Sequence, residues 1–114
     1  MLECGIMSSA NDHWIDVGSI EAFDEGQPVC AQAEGKRIVV IQVEGVLHAI
    51  ADVCPHAGKP LGQGELSGRV LRCPFHGFAY DVQSGRNVDW PHDEPGLKRY
   101  AVQQREGRVE VRLD

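Results

Sequence analysis

Residues 37–51 read RIVVIQVEGVLHAIA, and the way this stretch pairs with itself decides the fold. Five of its first seven residues are β-branched, a composition that packs well on a pleated sheet and crowds a helix. Glu44-Gly45 supplies a turn, so VLHAIA returns alongside as a second strand. Upstream, residues 29–33 alternate with the period of a half-buried strand, and Glu34-Gly35-Lys36 turns them into RIVVIQV. Three strands in succession give a meander. Cys30, inside the first of them, reads as a small core residue.

Outward from this meander the same grammar continues. HWIDV (13–17) opens a short strand, and GSIEAFDEG (18–26) carries turn chemistry with a single helical turn. Residues 52–68 read as loop, because Pro55, Gly58, Pro60, Gly62 and Gly64 interrupt any regular element. RVLR and FAYDV are brief strands, closed by a turn at Gln83-Ser84-Gly85. Residues 87–96, with Pro91 and Pro95, form a further ordered loop. LKRYAVQQ and RVEVRL make a terminal hairpin about Glu106-Gly107. Short strands at regular spacing, no helix of ordinary length and 13 glycines predict an all-β fold, an antiparallel β sandwich or small barrel.

The chain has 114 residues, 42% of them apolar and 25% charged. Such a length suits one domain, which buries roughly two-thirds of its unfolded surface. We expect a flexible tail over 1–12 and a single domain over 13–114. The formal charge is −6 and no Lys/Arg run interrupts it, which argues against nucleic-acid and membrane-surface partners and favours one with a basic face. MLECGIMSSANDHW lacks both a basic n-region and an apolar run, so no signal peptide is expected. Met7 is an alternative start, and no apolar run approaches the ~20 residues of a membrane span. A cytoplasmic location is the expectation, and there disulfides are disfavoured.

Two loops echo one another: CPHAGK at 54–59 and CPFHGF at 73–78. Together they spell C-x-H-x16-C-x2-H, with Cys54, His56, Cys73 and His76 as its members. Two thiols and two imidazoles on rigid, proline-containing loops make a metal site on chemistry alone. One structural zinc could take all four. Common zinc fingers, however, pair Cys with Cys and His with His along the chain, whereas each loop here offers one of each. A binuclear cluster accounts for the mixing, since each iron needs two protein ligands besides the bridging sulfides.

These loops resemble the signature of Rieske proteins. The resemblance implies a Rieske-type β sandwich carrying one [2Fe–2S] cluster, with Cys54 and Cys73 on one iron and His56 and His76 on the other. Gly58 and Gly77 fit the close passage of backbone past the cluster. The respiratory branch of the family has an extra cysteine in each loop and a serine after the second His-Gly. This chain has Lys59, Phe75 and Phe78 there, while Tyr80 keeps the place of a donor tyrosine. The chain is most similar in these respects to the low- or intermediate-potential ferredoxins of ring-hydroxylating dioxygenases. The implied partners are a flavoprotein reductase and a terminal oxygenase, met transiently. A rival branch is the small subunit of an assimilatory nitrite reductase.

Other candidates carry less. His13 reads as tail, His48 as a strand residue facing solvent or packing at an edge, and His92 either as part of an ordinary surface loop or, as the resemblance implies, of a loop that shields the cluster. No two-histidine, one-carboxylate iron site is clustered in sequence, and Gly62-Gln63-Gly64 has no helix behind it to hold phosphate. We therefore expect an electron-transfer component, with Pro55, Phe75 and Trp90 forming its docking surface and oxygen chemistry occurring elsewhere.

Overall fold

The computed structural model describes residues 13–55, 60–74, 78–89 and 96–113. The tail expected over 1–12 lies outside these residues, as do His56, Gly58, Lys59, Phe75, His76, Gly77, Trp90 and His92. The described chain forms strands β1 (Ile15–Ser19), β2 (Val29–Ala33), β3 (Lys36–Val43), β4 (Val46–Ala51), β5 (Glu65–Ser67), β6 (Val70–Arg72), β7 (Ala79–Asp81), β8 (Arg99–Arg105) and β9 (Arg108–Arg112). A single 3-10 turn at Ile20–Ala22, capped by the Ser19 side chain, is the helical turn expected after β1. No helix among the described residues is long and apolar enough to cross a membrane.

The meander forms as read. β3 pairs antiparallel with β2 and with β4, from Ile38 opposite Ala51 to Val43 opposite Val46. It lies inside a six-stranded sheet ordered β1-β9-β8-β4-β3-β2, whose end strands β1 and β2 come close enough to curl it toward a barrel. A second sheet, β5-β6-β7, contains the short strands. The strand β5 corrects the expectation of continuous loop over 52–68. Its three residues are specified by pairing with β6, Leu66 opposite Leu71, rather than by any local pattern long enough to read.

β3 explains why RIVVIQV is apolar without alternation. Ile38 and Val40 face a core inside the curled sheet with Phe23, Ala33, Ala49, Val109 and Val111. Val39 and Ile41 face the opposite way, into a core between the sheets with Ile50, Leu61, Leu71, Tyr80, Val82 and Leu97. A strand buried on both faces needs apolar residues at every position, and each such side chain contributes about 1.5–3 kcal/mol on burial.

Three hairpins use the same Glu-Gly turn. Glu34, Glu44 and Glu106 have φ of 51°, 53° and 52°, and the glycines that follow are also at positive φ. Two successive residues in this region match the right-handed twist of flanking strands, as a type I′ turn requires. Glutamate pays a steric penalty there that asparagine largely escapes. At Glu44 the turn is further held by the Glu25 carboxylate, which accepts from the Glu44 and Gly45 amides. Among the described residues Glu106 has no such clamp, so Glu106→Asn is expected to raise stability by about 0.5–1 kcal/mol. Urea unfolding should show a higher midpoint with unchanged slope; a lower midpoint would contradict this turn assignment.

Candidate metal centre

The two Cys-Pro loops leave the frame where its sheets meet. The first runs from the end of β4 to the start of β5, carrying the chain from one sheet to the other. The second joins β6 to β7 as a hairpin loop. There the Cys73 amide donates to the Phe78 carbonyl at 2.6 Å, one step beyond the Arg72–Ala79 pair, so the ladder continues to the base of the loop. Cys54 and Cys73 are 0% and 1% exposed and belong to the same core between the sheets. Neither forms a disulfide. The Phe78 side chain packs against that core instead of offering a hydroxyl.

Tyr80 is fully buried on β7, with its hydroxyl 3.9 Å from the Cys54 sulfur. A thiol could donate or accept across this gap, but a thiolate holding metal has no proton. Tyr80 is then the donor of the pair. The donor tyrosine implied by the sequence thus stands beside one of the two cysteines.

Asp52, two residues before Cys54, was not singled out in the sequence and organises the first loop. Its side chain is 0% exposed and is met by Arg37 Nη2 at 2.8 Å. Its other oxygen accepts from the Leu61 and Gly62 amides at 2.7 and 2.8 Å. These contacts lie nine and ten residues along the chain, and only the folded loop discloses them. The one available signal was an acidic residue directly after an apolar strand and before Pro and Gly.

Cys30 corrects its sequence reading. The burial of β2 alternates with Val29, Ala31 and Ala33 inward, which puts Cys30 on the outward face with Gln32. Counting a thiol as apolar concealed that phase. Its sulfur lies 3.9 Å from Asp52, and burial together with the Asp52 charge pushes the thiol above its ordinary value. His48 is also corrected in part: it is half-buried on β4, an interior strand rather than an edge. Burial, then the Arg99 charge, push its imidazole below the usual range.

On the far side of Tyr80, Asp81 builds the turn that follows β7. Its carboxylate accepts from Gln83 and Ser84 amides at 2.8 and 3.2 Å and from Arg69 Nε at 2.8 Å. Burial alone would raise the carboxyl, but these donors together hold it below its ordinary value. Its contribution is therefore present above the unfolded pKa and lost as pH falls through the folded one. The turn presents the Gly85 carbonyl to the Leu97 amide at 2.8 Å, tying residues 96–98 back to the core.

Two buried, unbridged thiols, one at the base of each loop, fit a metal cluster. Comparison with known proteins agrees. A family model described as the Rieske [2Fe–2S] domain matches residues 13–104. The ferredoxin component of the naphthalene 1,2-dioxygenase/salicylate 5-hydroxylase systems of Ralstonia sp is 30% identical over 102 residues, covering 90% of this chain and 97% of that protein. The naphthalene 1,2-dioxygenase ferredoxin component of Pseudomonas aeruginosa is 31% identical with the same two coverages, 90% and 97%. Among solved structures, the terminal oxygenase of carbazole 1,9a-dioxygenase from Nocardioides aromaticivorans IC177 superposes with a TM-score of 0.79 at 27% identity, covering 91% of this chain. The reduced complex between oxygenase and ferredoxin in carbazole 1,9a-dioxygenase gives 0.78 at 25%, covering 90%. This chain spans only 31% and 29% of those structural matches.

Proposed function

Because the chain belongs to the Rieske [2Fe–2S] domain family, we propose that it is the ferredoxin component of a ring-hydroxylating dioxygenase system. It takes one electron from a flavoprotein reductase and passes it to a terminal oxygenase. The observation that carries this reading is the near end-to-end match to ferredoxin components, 97% of their length, with a buried free thiol at the base of each loop. The similarity to ferredoxin components of dioxygenase systems favours a separate carrier over a permanent subunit of a nitrite reductase, and the family match sets aside structural zinc.

In this reading Cys54 and Cys73 hold one iron, His56 and His76 hold the other, and residues 13–114 act as one domain in the cytoplasm. The bound cluster supplies one-electron chemistry in a range of about −150 to +300 mV. The chain's part is to bury both sulfurs in an apolar core and to set one hydroxyl, that of Tyr80, beside the Cys54 sulfur. A hydrogen bond to sulfur stabilises the more negative reduced state. Tyr80→Phe is therefore expected to lower the midpoint potential with little change in iron content; protein-film voltammetry showing an unchanged potential would remove Tyr80 from this role.

The test of function is stopped-flow reoxidation of the reduced protein by the terminal oxygenase of a naphthalene dioxygenase system. Rapid one-electron transfer is expected, with a rate that falls as salt rises because the net charge of −6 steers the encounter. Failure to reduce any such oxygenase would contradict the assignment, and a salt-independent rate would contradict the steering.

A further inference from the structure

We infer that Asp52 and Arg37 form a positioning device for the first loop, one that holds the loop in its metal-binding shape and biases the potential of the centre. The inference rests on the proposed cluster site and goes beyond its ligands. Asp52 stands where β4 ends and the loop begins, two residues from Cys54, so their Cα atoms lie at most about 7 Å apart. One carboxylate oxygen takes the Leu61 and Gly62 amides at 2.7 and 2.8 Å, which draws the outgoing end of the loop against its incoming end. The span between them contains Cys54 and His56.

The other oxygen is held from outside the loop. Arg37 Nη2 donates to it at 2.8 Å, and the Arg37 carbonyl accepts from the Asp52 amide at 3.1 Å. The two residues are thus locked through side chain and backbone at once, tying the end of β4 to the start of β3. Cys30 completes the pocket, since its sulfur lies where a Cβ on Gly62 would have to go. A side chain at 62 would have to displace the Cys30 sulfur, so glycine lets the loop press into the space between that sulfur and Asp52. The recess lined by Cys30, Arg37, Asp52, Pro60, Gly62 and Gln63 is the outer face of this device.

The charges are unequal in setting. The Asp52 side chain is 0% exposed and the Arg37 side chain 58% exposed, so the anion acts through protein while the cation is partly screened by solvent. A buried negative charge near the centre opposes the arrival of an electron, and its arginine partner partly offsets that effect. Removing each charge should therefore move the potential in opposite directions, which a purely structural contact would not do.

The experiment compares iron release to excess chelator, and the midpoint potential at pH 7, in the cluster-loaded wild type, Asp52→Ala, Asp52→Asn and Arg37→Gln. Asp52→Ala strands a buried amide and should release iron about tenfold faster or more. Asp52→Asn keeps an acceptor for both amides and should stay within about threefold of wild type, with a higher potential. Arg37→Gln should lower the potential by a smaller amount. Wild-type release from Asp52→Ala, or shifts of Asp52→Asn and Arg37→Gln that are absent or share one sign, would overturn the proposal. If Asp52→Ala does not fold, the potentials of the other two variants still decide it. Wild-type protein that binds no iron and sulfide would instead overturn the cluster assignment itself, and this inference with it.

Discussion

Cys54→Ala is expected to leave the protein folded and almost free of iron. The side chain it truncates is fully buried, at the base of the first loop, and is not shared with any disulfide. A cluster needs thiolates because sulfur's soft, anionic character matches iron and sulfide, and alanine offers neither charge nor lone pair. The remaining cysteine could not hold the same iron alone. The volume lost is small, and the surrounding Leu61, Leu71 and Tyr80 remain, so the apo domain should keep its β-sheet circular dichroism. Cys73→Ala should behave alike, since it occupies the matching position at the second loop. Iron per chain should fall from two to about zero in each, while Glu106→Asn, remote from both loops, retains wild-type iron. Full iron content in Cys54→Ala would remove that residue from the ligand set.

The second large effect concerns Gly64, just before β5. Its amide donates to the Leu61 carbonyl at 2.8 Å, closing the tight turn that delivers the first loop into the small sheet. A Cβ at this position would lie 2.5 Å from the Arg72 carbonyl oxygen, 3.0 Å from that of Leu61 and 3.2 Å from Leu71 Cδ1. The two nearest of these atoms are backbone, and Arg72 immediately precedes Cys73, so relief requires moving a strand that sets the second loop. Gly64→Ala is expected to cost about 2–4 kcal/mol, or roughly 10 °C in Tm, and to speed cluster loss. Gly68→Ala makes a useful contrast. Gly68 has φ of 63° with open space around its Cα, so only backbone strain of about 1 kcal/mol applies. Equal melting temperatures for the two variants would show that the contact between Gly64 and the Arg72 carbonyl is not the constraint.

The parts of the fold that were legible in sequence are those specified locally. RIVVIQV announced a strand by β-branching, and three Glu-Gly pairs marked three hairpins, because turn chemistry and strand composition act within a few residues. β5 was missed because Glu65–Ser67 is too short for a pattern and owes its conformation to β6. Cys30 was misplaced because a thiol is neither clearly apolar nor clearly polar, and the phase of β2 had to be taken from its neighbours. Asp52 was invisible for a different reason: its amide donors are at Leu61 and Gly62, across a loop whose shape does not exist until it folds. The proposed centre is written in the sequence as a ligand pattern, since residue type and spacing carry the chemistry. Of its four members, the described residues place Cys54 and Cys73 in one core, while His56 and His76 lie outside them.

Two histidines and two cysteines are proposed to share one binuclear cluster, and pulsed EPR of the reduced protein reads this directly. The expected result is a half-spin signal with hyperfine couplings from two imidazole nitrogens, one of which disappears in either His56→Cys or His76→Cys. A reduced protein that shows no such signal and contains zinc, or an iron–sulfur signal without nitrogen coupling, would contradict it.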